Sequence, residues 1–431
     1  MSESAPRMFA GGSRLYWRLA VAGVTASILV SVYGFLLAEP WSPKFSLMND
    51  FTSFWAAGVI VRDGKGPALY DNDLQRSIQT ATRLDASSSQ VMSQNASYLI
   101  PFYNPPAMAL LMVPLSLLPI SWAMLLWSAL SLLAMVMAVS LPLKRHPRAG
   151  ALVLLLITFG PVCVTLRWGQ MAGFLLLAVS LGMLSLGSGR PLLGGALFGI
   201  LLLKPQYAAI LALVFLAKRR WLELAGMMAT GLLVALLSLA VVGLGGAAAY
   251  FELLARISAF TPPPESLVKP EVMINCLDLL IHLWPDIPAV LGSSLVLSLG
   301  AATALLSLVI WRGDWDPTSP RFAIQMLAVM LATLVSSPHS FIHGAVLLLA
   351  PLAVALSRSA SNGVANRSWR PMLAIGYAVG VLVWWIEDLS WLLAVYMLVA
   401  LGLLIVGDVV HSSHIRRSDR SGDSAWATLE Q

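Results

Sequence analysis

The chain has 431 residues, of which 58% are hydrophobic and only 11% are charged. Soluble domains carry about 25% charged residues, so this composition excludes an ordinary soluble globule. The net charge of +6 does not indicate a nucleic-acid-binding protein, because the basic residues cluster in short loops between apolar runs, as orientation signals do. The two cysteines, Cys163 and Cys276, have no metal-binding spacing and form no disulfide framework.

Long apolar runs recur from Leu19 to Val410, and about 18 such residues cross the hydrocarbon core of a bilayer as a helix. The runs do not alternate in hydrophobicity, which argues against a barrel. We therefore predict an all-α, polytopic transmembrane protein with about twelve crossings. The predicted crossings lie at roughly 15–38, 121–141, 151–167, 170–188, 191–203, 206–217, 221–245, 289–311, 321–336, 339–357, 371–387 and 389–410.

The basic residues orient this arrangement. Eighteen of the 27 lysines and arginines fall at ends assigned to the cytoplasm when both termini are placed inside, as the positive-inside rule requires. Two long segments, about 39–104 and 246–288, then face the outside, and long loops of this kind are usually functional or disordered. We predict one membrane domain over 1–410 and a disordered cytoplasmic tail over 411–431.

Asp50 opens the most informative part of the first outer segment. Residues 51–61 place apolar groups at i, i+3, i+4 and i+8, a spacing that predicts a helix lying in the membrane interface. A second interfacial helix is predicted over 107–118. Asp50 just outside the hydrocarbon is a candidate general base for an acceptor hydroxyl. Its position is equally typical of a helix N-cap.

Arg167 and Gln170 lie in the predicted outer turn between the third and fourth crossings. Arginine forms bidentate hydrogen bonds with phosphate, but it is also a common anchor at the membrane interface. Lys204 ends an apolar run and precedes Pro205, which breaks the helix and frees backbone carbonyls. The short crossings 191–203 and 206–217 are therefore two full spans or a re-entrant pair. A lysine at such a break suits a phosphate, although it also suits snorkelling to the surface.

His339 and His343 follow Ser337-Pro338 and are four residues apart. One helix face could present both to a metal, but no carboxylate or cysteine accompanies them nearby. We therefore predict that they hydrogen-bond to substrate or to a buried partner, and we predict no metal site. The chain has no Walker loop, no Rossmann glycine pattern and no nucleophile elbow. A donor carried by a nucleotide would need a cytoplasmic site, so any transferred group is predicted to be lipid-borne.

Several of these motifs, in this order, resemble glycosyltransferase family 87. They are Asp50-Phe-Thr-Ser-Phe-Trp-Ala-Ala-Gly58, Gly66-Pro-Ala-Leu-Tyr70, Phe102-Tyr-Asn-Pro-Pro-Ala-Met-Ala-Leu-Leu111, Pro114-Leu-Ser-Leu-Leu-Pro119, Gly169-Gln170, Lys204-Pro205, Arg219-Arg220-Trp221 and the stretch from Ser337 to His343. Each motif is short, and their order and spacing carry the resemblance. Two stretches depart from the family's usual pattern: Asn104 stands before the proline pair, and Phe341 and His343-Gly344 stand in the last motif.

The resemblance implies a membrane mannosyltransferase-like enzyme of the GT-C fold that uses a polyprenyl-phosphate-linked sugar. It implies an inverting transfer with Asp50 as base, and with Lys204 and Arg167 holding the lipid phosphate. We include Gln170, His339 and His343 in the expected substrate-binding set. The expected partners are the lipid-linked donor, an envelope glycolipid or polysaccharide acceptor and membrane lipids, with no cofactor. The expected site is the outer face of the cytoplasmic membrane.

Two other functions remain open from the sequence. A transporter or lipid flippase would also place a polar site in a broken helix, as at Lys204-Pro205. The long outer loops and the lack of internal repeats argue against it. A structural or assembly subunit with a decayed site is the third possibility.

Overall fold

The computed structural model describes residues 49–86, 98–257, 269–361 and 369–427. Within these ranges the regular structure is helical, and one isolated antiparallel bridge joins Met273 to Phe341. The helices are α1 Asp50–Arg62, α2 Asn72–Ala86, α3 Pro106–Met112, α4 Ile120–Leu143, α5 Ala149–Ile157, α6 Gly160–Arg167, α7 Ala172–Gly187, α8 Pro191–Gly199, α9 Ala209–Ala217, α10 Trp221–Ile257, α11 Cys276–Leu283, α12 Ala289–Val309, α13 Pro320–Ser336, α14 Leu349–Ser361, α15 Trp369–Trp385 and α16 Ser390–Ala427.

Four described helices are long and apolar enough to cross a membrane, and a fifth span results if the bent pair α5–α6 is counted as one. The four are Ile120–Leu143, Trp221–Ile257, Ala289–Val309 and Ser390–Asp408. The predicted all-helical membrane class is confirmed. The count of about twelve crossings is not, because six further apolar helices have only 10 to 17 residues. The first predicted crossing, 15–38, lies outside the described residues.

Helix α1 forms where the sequence predicts a helix, but it does not lie on the surface. Nine of its 13 residues are buried, because α3 and the outer segment pack over it. Trp55 Nε1 donates to the carbonyl of Leu118 at 3.1 Å, and Arg62 Nη1 donates to the carbonyl of Ser116 at 2.6 Å. These bonds tie α1 to the chain that leads into α4. Asp50 is therefore presented by a helix embedded in protein.

The helix ends separate into two layers. At one end, Lys218 Nζ donates to the carbonyl of Gly313 at 2.5 Å, and Arg358 donates to the carbonyls of Pro317 and Ser319, both at 2.7 Å. Helices α10 and α13 begin at this end. At the other end, where α10 finishes, the ring of His339 is hydrogen-bonded to the carbonyl of Ile257 at 2.9 Å. The candidate site lies at this second end.

Two helices extend beyond their predicted bounds. Helix α10 runs 37 residues with a kink at Gly243, whose φ is 67°, and so enters the second outer segment. The predicted polyproline spacer at 262–264 lies outside the described residues. Helix α16 continues to Ala427, into the segment that the sequence predicts to be a tail. The division into a domain over 1–410 and a tail stays a prediction.

Candidate active site

A cavity of about 680 Å³ lies at the end of the bundle where α10 and α13 finish. Small-molecule sites in proteins have volumes of roughly 300–1,000 Å³, so this cavity can hold a sugar phosphate. Its walls are mostly apolar. Five of the six predicted site residues line it, although they come from four separate parts of the chain: Asp50, Gln170, Lys204, and the segment that holds both His339 and His343.

Asp50 is the first residue of α1, and it is not the helix cap. The N-cap is Asn49, whose side chain accepts a hydrogen bond from the backbone of Thr52 at 3.3 Å. This satisfies the exposed amide at the helix start and leaves the carboxylate of Asp50 for another partner. Asp50 is half-buried at the cavity wall. Of the two roles that the sequence left open for Asp50, general base or helix N-cap, the structure excludes the N-cap.

A tight turn carries Gln170 to Asp50. Gly169 has a φ of +60°, and a Cβ added there would lie 2.6 Å from the Cβ of Phe51, so only glycine fits. Trp127 Nε1 donates to the carbonyl of Gly169 at 2.7 Å, which fixes the turn against α4. The backbone of Phe51 also donates to the carbonyl of Trp168 at 3.2 Å. The turn after α6 is thereby docked on the start of α1.

Lys204 lies between two short 3₁₀ segments, Ile200–Leu203 and Pro205–Tyr207. Its backbone, with φ −130° and ψ 82°, is extended because the following proline disfavours a helical conformation at this position. The predicted break in the helix is therefore present. The side chain is half-buried and enters the cavity.

A chain of hydrogen bonds links four of these residues. Gln170 Nε2 donates to Asp50 Oδ2 at 2.5 Å. Lys204 Nζ donates to Gln170 Oε1 at 3.0 Å and contacts His343 Nε2 at 3.0 Å. Because a charged lysine has donors only, the oxygen of the amide must face Lys204, and the Nε2 of His343 must accept. His343 is then neutral with its proton on Nδ1.

Burial in the cavity brings the pKa values of Asp50 and Lys204 closer together. Burial raises the pKa of Asp50 above its ordinary value, although the bond from Gln170 and the charge of Lys204 oppose this effect. Burial lowers the pKa of Lys204 to about 8, against the opposing pull of Asp50. A carboxylate with a raised pKa is a better proton acceptor near neutrality. A cation in the same cavity can stabilise a developing anion.

His339 does not share a helix face with His343, contrary to the helix predicted from 339. Residue 341 pairs with Met273 in the isolated bridge, and the backbone of Ile274 donates to the carbonyl of Ser340 at 2.8 Å. This pairing keeps the segment extended until the 3₁₀ stretch Ile342–Leu348 begins. The ring of His339 bonds to a backbone carbonyl instead. Among the described residues, no three His, Cys, Asp or Glu side chains form a group that could hold a metal.

Arg167 is the predicted site residue that does not line the cavity. It ends α6, and its guanidinium lies over the ring of Trp384 in α15, 5.8 Å from the centroid. The turn at Gly169 directs Gln170 inward, while Arg167 remains on the side of α6 that packs on α15. This cation–π contact is typical of an arginine that anchors a helix, the second of the two roles that the sequence left open for Arg167.

Tyr103 lines the same cavity and was missed by the sequence analysis. Its hydroxyl is buried and has no hydrogen-bond partner among the described residues. Burial raises the pKa of Tyr103, and the nearby charge of Asp50 adds to the shift. A buried hydroxyl without a partner is costly. In the sequence, Tyr103 is marked only by its position in the Phe102-Tyr-Asn-Pro-Pro stretch. That local pattern does not predict that Tyr103 lies near Asp50.

Comparison with known proteins shows the family of this chain. A family model described as glycosyltransferase family 87 matches residues 102–338, which is more than half of the chain. No curated protein and no solved structure matches. The matched region contains Tyr103, Gln170 and Lys204, while Asp50 and His343 lie outside it and are joined to it by the hydrogen bonds of the cavity. The chain therefore belongs to glycosyltransferase family 87.

Proposed function

We propose that this membrane glycosyltransferase transfers a hexose, mannose being the sugar that the family resemblance favours, from a polyprenyl-phosphate donor. The acceptor is an envelope glycolipid or polysaccharide, and transfer takes place at the outer face of the cytoplasmic membrane. One observation carries the proposal. An acidic and a basic side chain, Asp50 and Lys204, line one cavity and are joined through Gln170.

The proposed reaction is a single displacement with inversion. The oxygen of an acceptor hydroxyl attacks the anomeric carbon of the donor, and the bond from that carbon to the phosphate oxygen breaks. Asp50 takes the proton of the hydroxyl as the new glycosidic bond forms. The bonding electrons leave with the polyprenyl phosphate, whose added negative charge faces the ammonium of Lys204.

The cavity supports a lipid-linked donor. Its mostly apolar walls suit the first isoprene units of a polyprenyl chain, and Lys204 supplies the point charge that a phosphate requires. His343 binds Lys204 and so orients it. His339 lies on the same wall, and Tyr103 offers the acceptor or the phosphate a donor hydroxyl. Arg167 lies outside the cavity lining, so in this proposal it anchors α6 on α15 and leaves phosphate binding to Lys204.

The orientation is proposed from charge. The basic ends assigned to the cytoplasm, including Lys218 and Arg358, lie at the end of the bundle opposite the cavity. This distribution of basic residues supports a cavity that faces the outside, as the positive-inside rule favours. No cofactor has a part in the proposed reaction, because the donor carries its own leaving group.

Transfer of labelled sugar tests the proposal. Membranes containing the wild type or Asp50→Asn are given radiolabelled polyprenyl-phosphate mannose or polyprenyl-phosphate glucose. We expect a new labelled product with the wild type and at least a 100-fold loss with Asp50→Asn, since positioned bases contribute about 10²–10⁴-fold.

The matched control is Asp63→Asn, at the exposed far end of the same helix, where the carboxylate pairs with Arg62 on the surface at 3.0 Å. This variant should transfer like the wild type. Full turnover by Asp50→Asn would refute the assignment of the base. Absence of transfer from both donors would refute the proposed donor class, and substrate flux in proteoliposomes would then test the transporter alternative.

A further inference from the structure

The amide of Gln170 lies between two opposite charges that do not touch. It donates to Asp50 Oδ2 at 2.5 Å and accepts from Lys204 Nζ at 3.0 Å. Among the ion pairs of the described residues, none joins Lys204 to Asp50. A neutral group thus bridges the two charged side chains of the cavity.

Direct pairing would be the ordinary outcome for opposite charges withdrawn from water, since an ion pair is the usual compensation for desolvation. Such a pair would make the carboxylate a weaker base, because a close cation favours the ionised form. It would also occupy the ammonium that is needed for the phosphate. Separation by an amide keeps both groups hydrogen-bonded without neutralising either.

The backbone sets the position of this amide. Gln170 follows Gly169, whose positive φ and contact with Phe51 allow no other residue. The backbone of Gln170 donates to the carbonyl of Thr165 at 2.9 Å, so the turn closes on the end of α6. The residue is buried, with 6% of its surface exposed. Gln170 is therefore held in place independently of Asp50 and Lys204.

Several groups that carry charge or titrate surround this amide. Asp50 comes from α1, Lys204 from the break after α8, and His343 from the 3₁₀ stretch that packs on α6. Also lining the cavity are His339, the exposed Lys269 and Asp388, and the phenols of Tyr98, Tyr103 and Tyr250. The two histidines are bonded to Lys204 and to a backbone carbonyl. Asp50 and Lys204 are the two charged groups that bond directly to Gln170.

We propose that Gln170 is a positioning residue that holds the base and the cation apart, so that each stays available to substrate. This inference rests on the proposed function, and it replaces the phosphate-binding role expected from the sequence. Gln170 acts through Asp50 and Lys204 and does not itself hold the leaving group.

The pH dependence of kcat in Gln170→Ala and Gln170→Glu tests this role. The plot of kcat against pH should have an acid limb, where Asp50 becomes protonated, and an alkaline limb, where Lys204 loses its charge. In Gln170→Ala the two charges can pair directly, so the acid limb should move to lower pH and the alkaline limb to higher pH. We expect at least a tenfold loss of kcat. In Gln170→Glu a second carboxylate faces Asp50. The acid limb should then move to higher pH by about one unit, because like charges oppose ionisation.

Opposite movement of the acid limb in the two variants is the signature that a merely structural role would not produce. The matched control is Gln206→Ala, which removes another amide from the same cavity, one that bonds the backbone of His339 at 3.4 Å. Its limbs should coincide with those of the wild type. Thermal unfolding identifies any variant that fails to fold, and the nearly isosteric Gln170→Glu then carries the test alone.

The outcomes separate the two proposals. If the wild type transfers label and Asp50→Asn does not, while both Gln170 variants keep the wild-type limbs, the positioning role is wrong and the proposed function stands. If the wild type transfers no label, the proposed function fails and the role of Gln170 fails with it.

Discussion

At the scale of single residues, the cavity acts on Asp50 and Lys204 in opposite directions through the same cause. Loss of water disfavours any charged form, so it raises the pKa of the carboxyl group and lowers the pKa of the ammonium to about 8. The neutral amide of Gln170 keeps the two charges apart, so each offsets only part of the pKa shift that burial causes in the other. The proposed base and the proposed phosphate-binding cation are therefore both ionised only within a restricted pH range.

A bell-shaped dependence of kcat on pH is expected from these shifts. Transfer requires ionised Asp50, so it should be lost as the pH falls through the raised pKa of that carboxyl group. It also requires charged Lys204, so it should be lost as the pH rises through about 8. Lys204→Arg keeps its charge to a higher pH and should remove the alkaline limb. An unchanged limb in this variant would exclude Lys204 as its source.

Gly169→Ala should damage both stability and transfer. The residue has a φ of +60°, and its new methyl group would lie 2.6 Å from the Cβ of Phe51. Gly64→Ala is a matched control, since its φ is +72° and nothing lies within 4 Å of the added Cβ. We expect a cost of about 1 kcal/mol from backbone strain in the control and about 2–4 kcal/mol in Gly169→Ala. Thermal unfolding and label transfer measure the two effects, and equal losses would contradict the packing argument.

At the scale of elements, the second outer segment is attached to the last helix through a buried carboxylate. Asp278 in α11 is fully buried, and Ser390 at the start of α16 donates to its Oδ2 at 3.2 Å. His282 lies 2.9 Å from the other oxygen. Burial raises the pKa of Asp278 to about 7, although His282 and Ser390 oppose the shift and Glu271 adds to it. Lys269, which precedes α11, lines the cavity, so this attachment holds one edge of the site.

The stability of this attachment should depend on pH. Because the pKa of Asp278 is higher in the folded protein than in the unfolded chain, the folded protein binds more protons between about pH 4 and pH 7. Its free energy of unfolding therefore falls as the pH rises through that range. Asp278→Asn should flatten the fall in melting temperature between about pH 5 and pH 8. Asp286→Asn, on the exposed chain after α11, should keep the wild-type slope, and identical slopes in all three proteins would contradict this account.

At the scale of the whole molecule, the structure separates a basic end from a cavity end. Arg321 pairs with Asp408 at 2.6 Å near the start of α13, and Lys218 and Arg358 lie at this same end. The cavity occupies the other end, beyond Ser336 and Ile257. This polarity supports the proposed placement of the cavity outside the membrane.

Labelling of single introduced cysteines tests the orientation. Lys65→Cys lies in the first outer segment and Arg145→Cys lies after α4, and both positions are exposed. The native Cys163 and Cys276 are buried, so their background labelling should be low. A membrane-impermeant maleimide should label Lys65→Cys in intact cells and Arg145→Cys only after lysis. The reverse pattern would place the cavity in the cytoplasm.

The sequence alone determined the helical membrane class, because long apolar runs with few charges have no other stable form in a bilayer. It also singled out Asp50, Lys204 and His343, because ionisable groups among apolar residues are costly and require partners. It could not count the crossings reliably, since a break such as Lys204-Pro205 leaves the length of each helix open.

Only the tertiary structure decided how these residues meet. The bond from Gln170 to Asp50 joins positions 120 residues apart, and the contact of Lys204 with His343 joins positions 139 apart. The structure also gave the helix cap to Asn49 and placed Arg167 against α15. Periodicity and propensity describe neighbours within a few residues. The partner of a side chain across the bundle depends instead on how helices pack, and here one glycine turn against Phe51 set the geometry of the cavity.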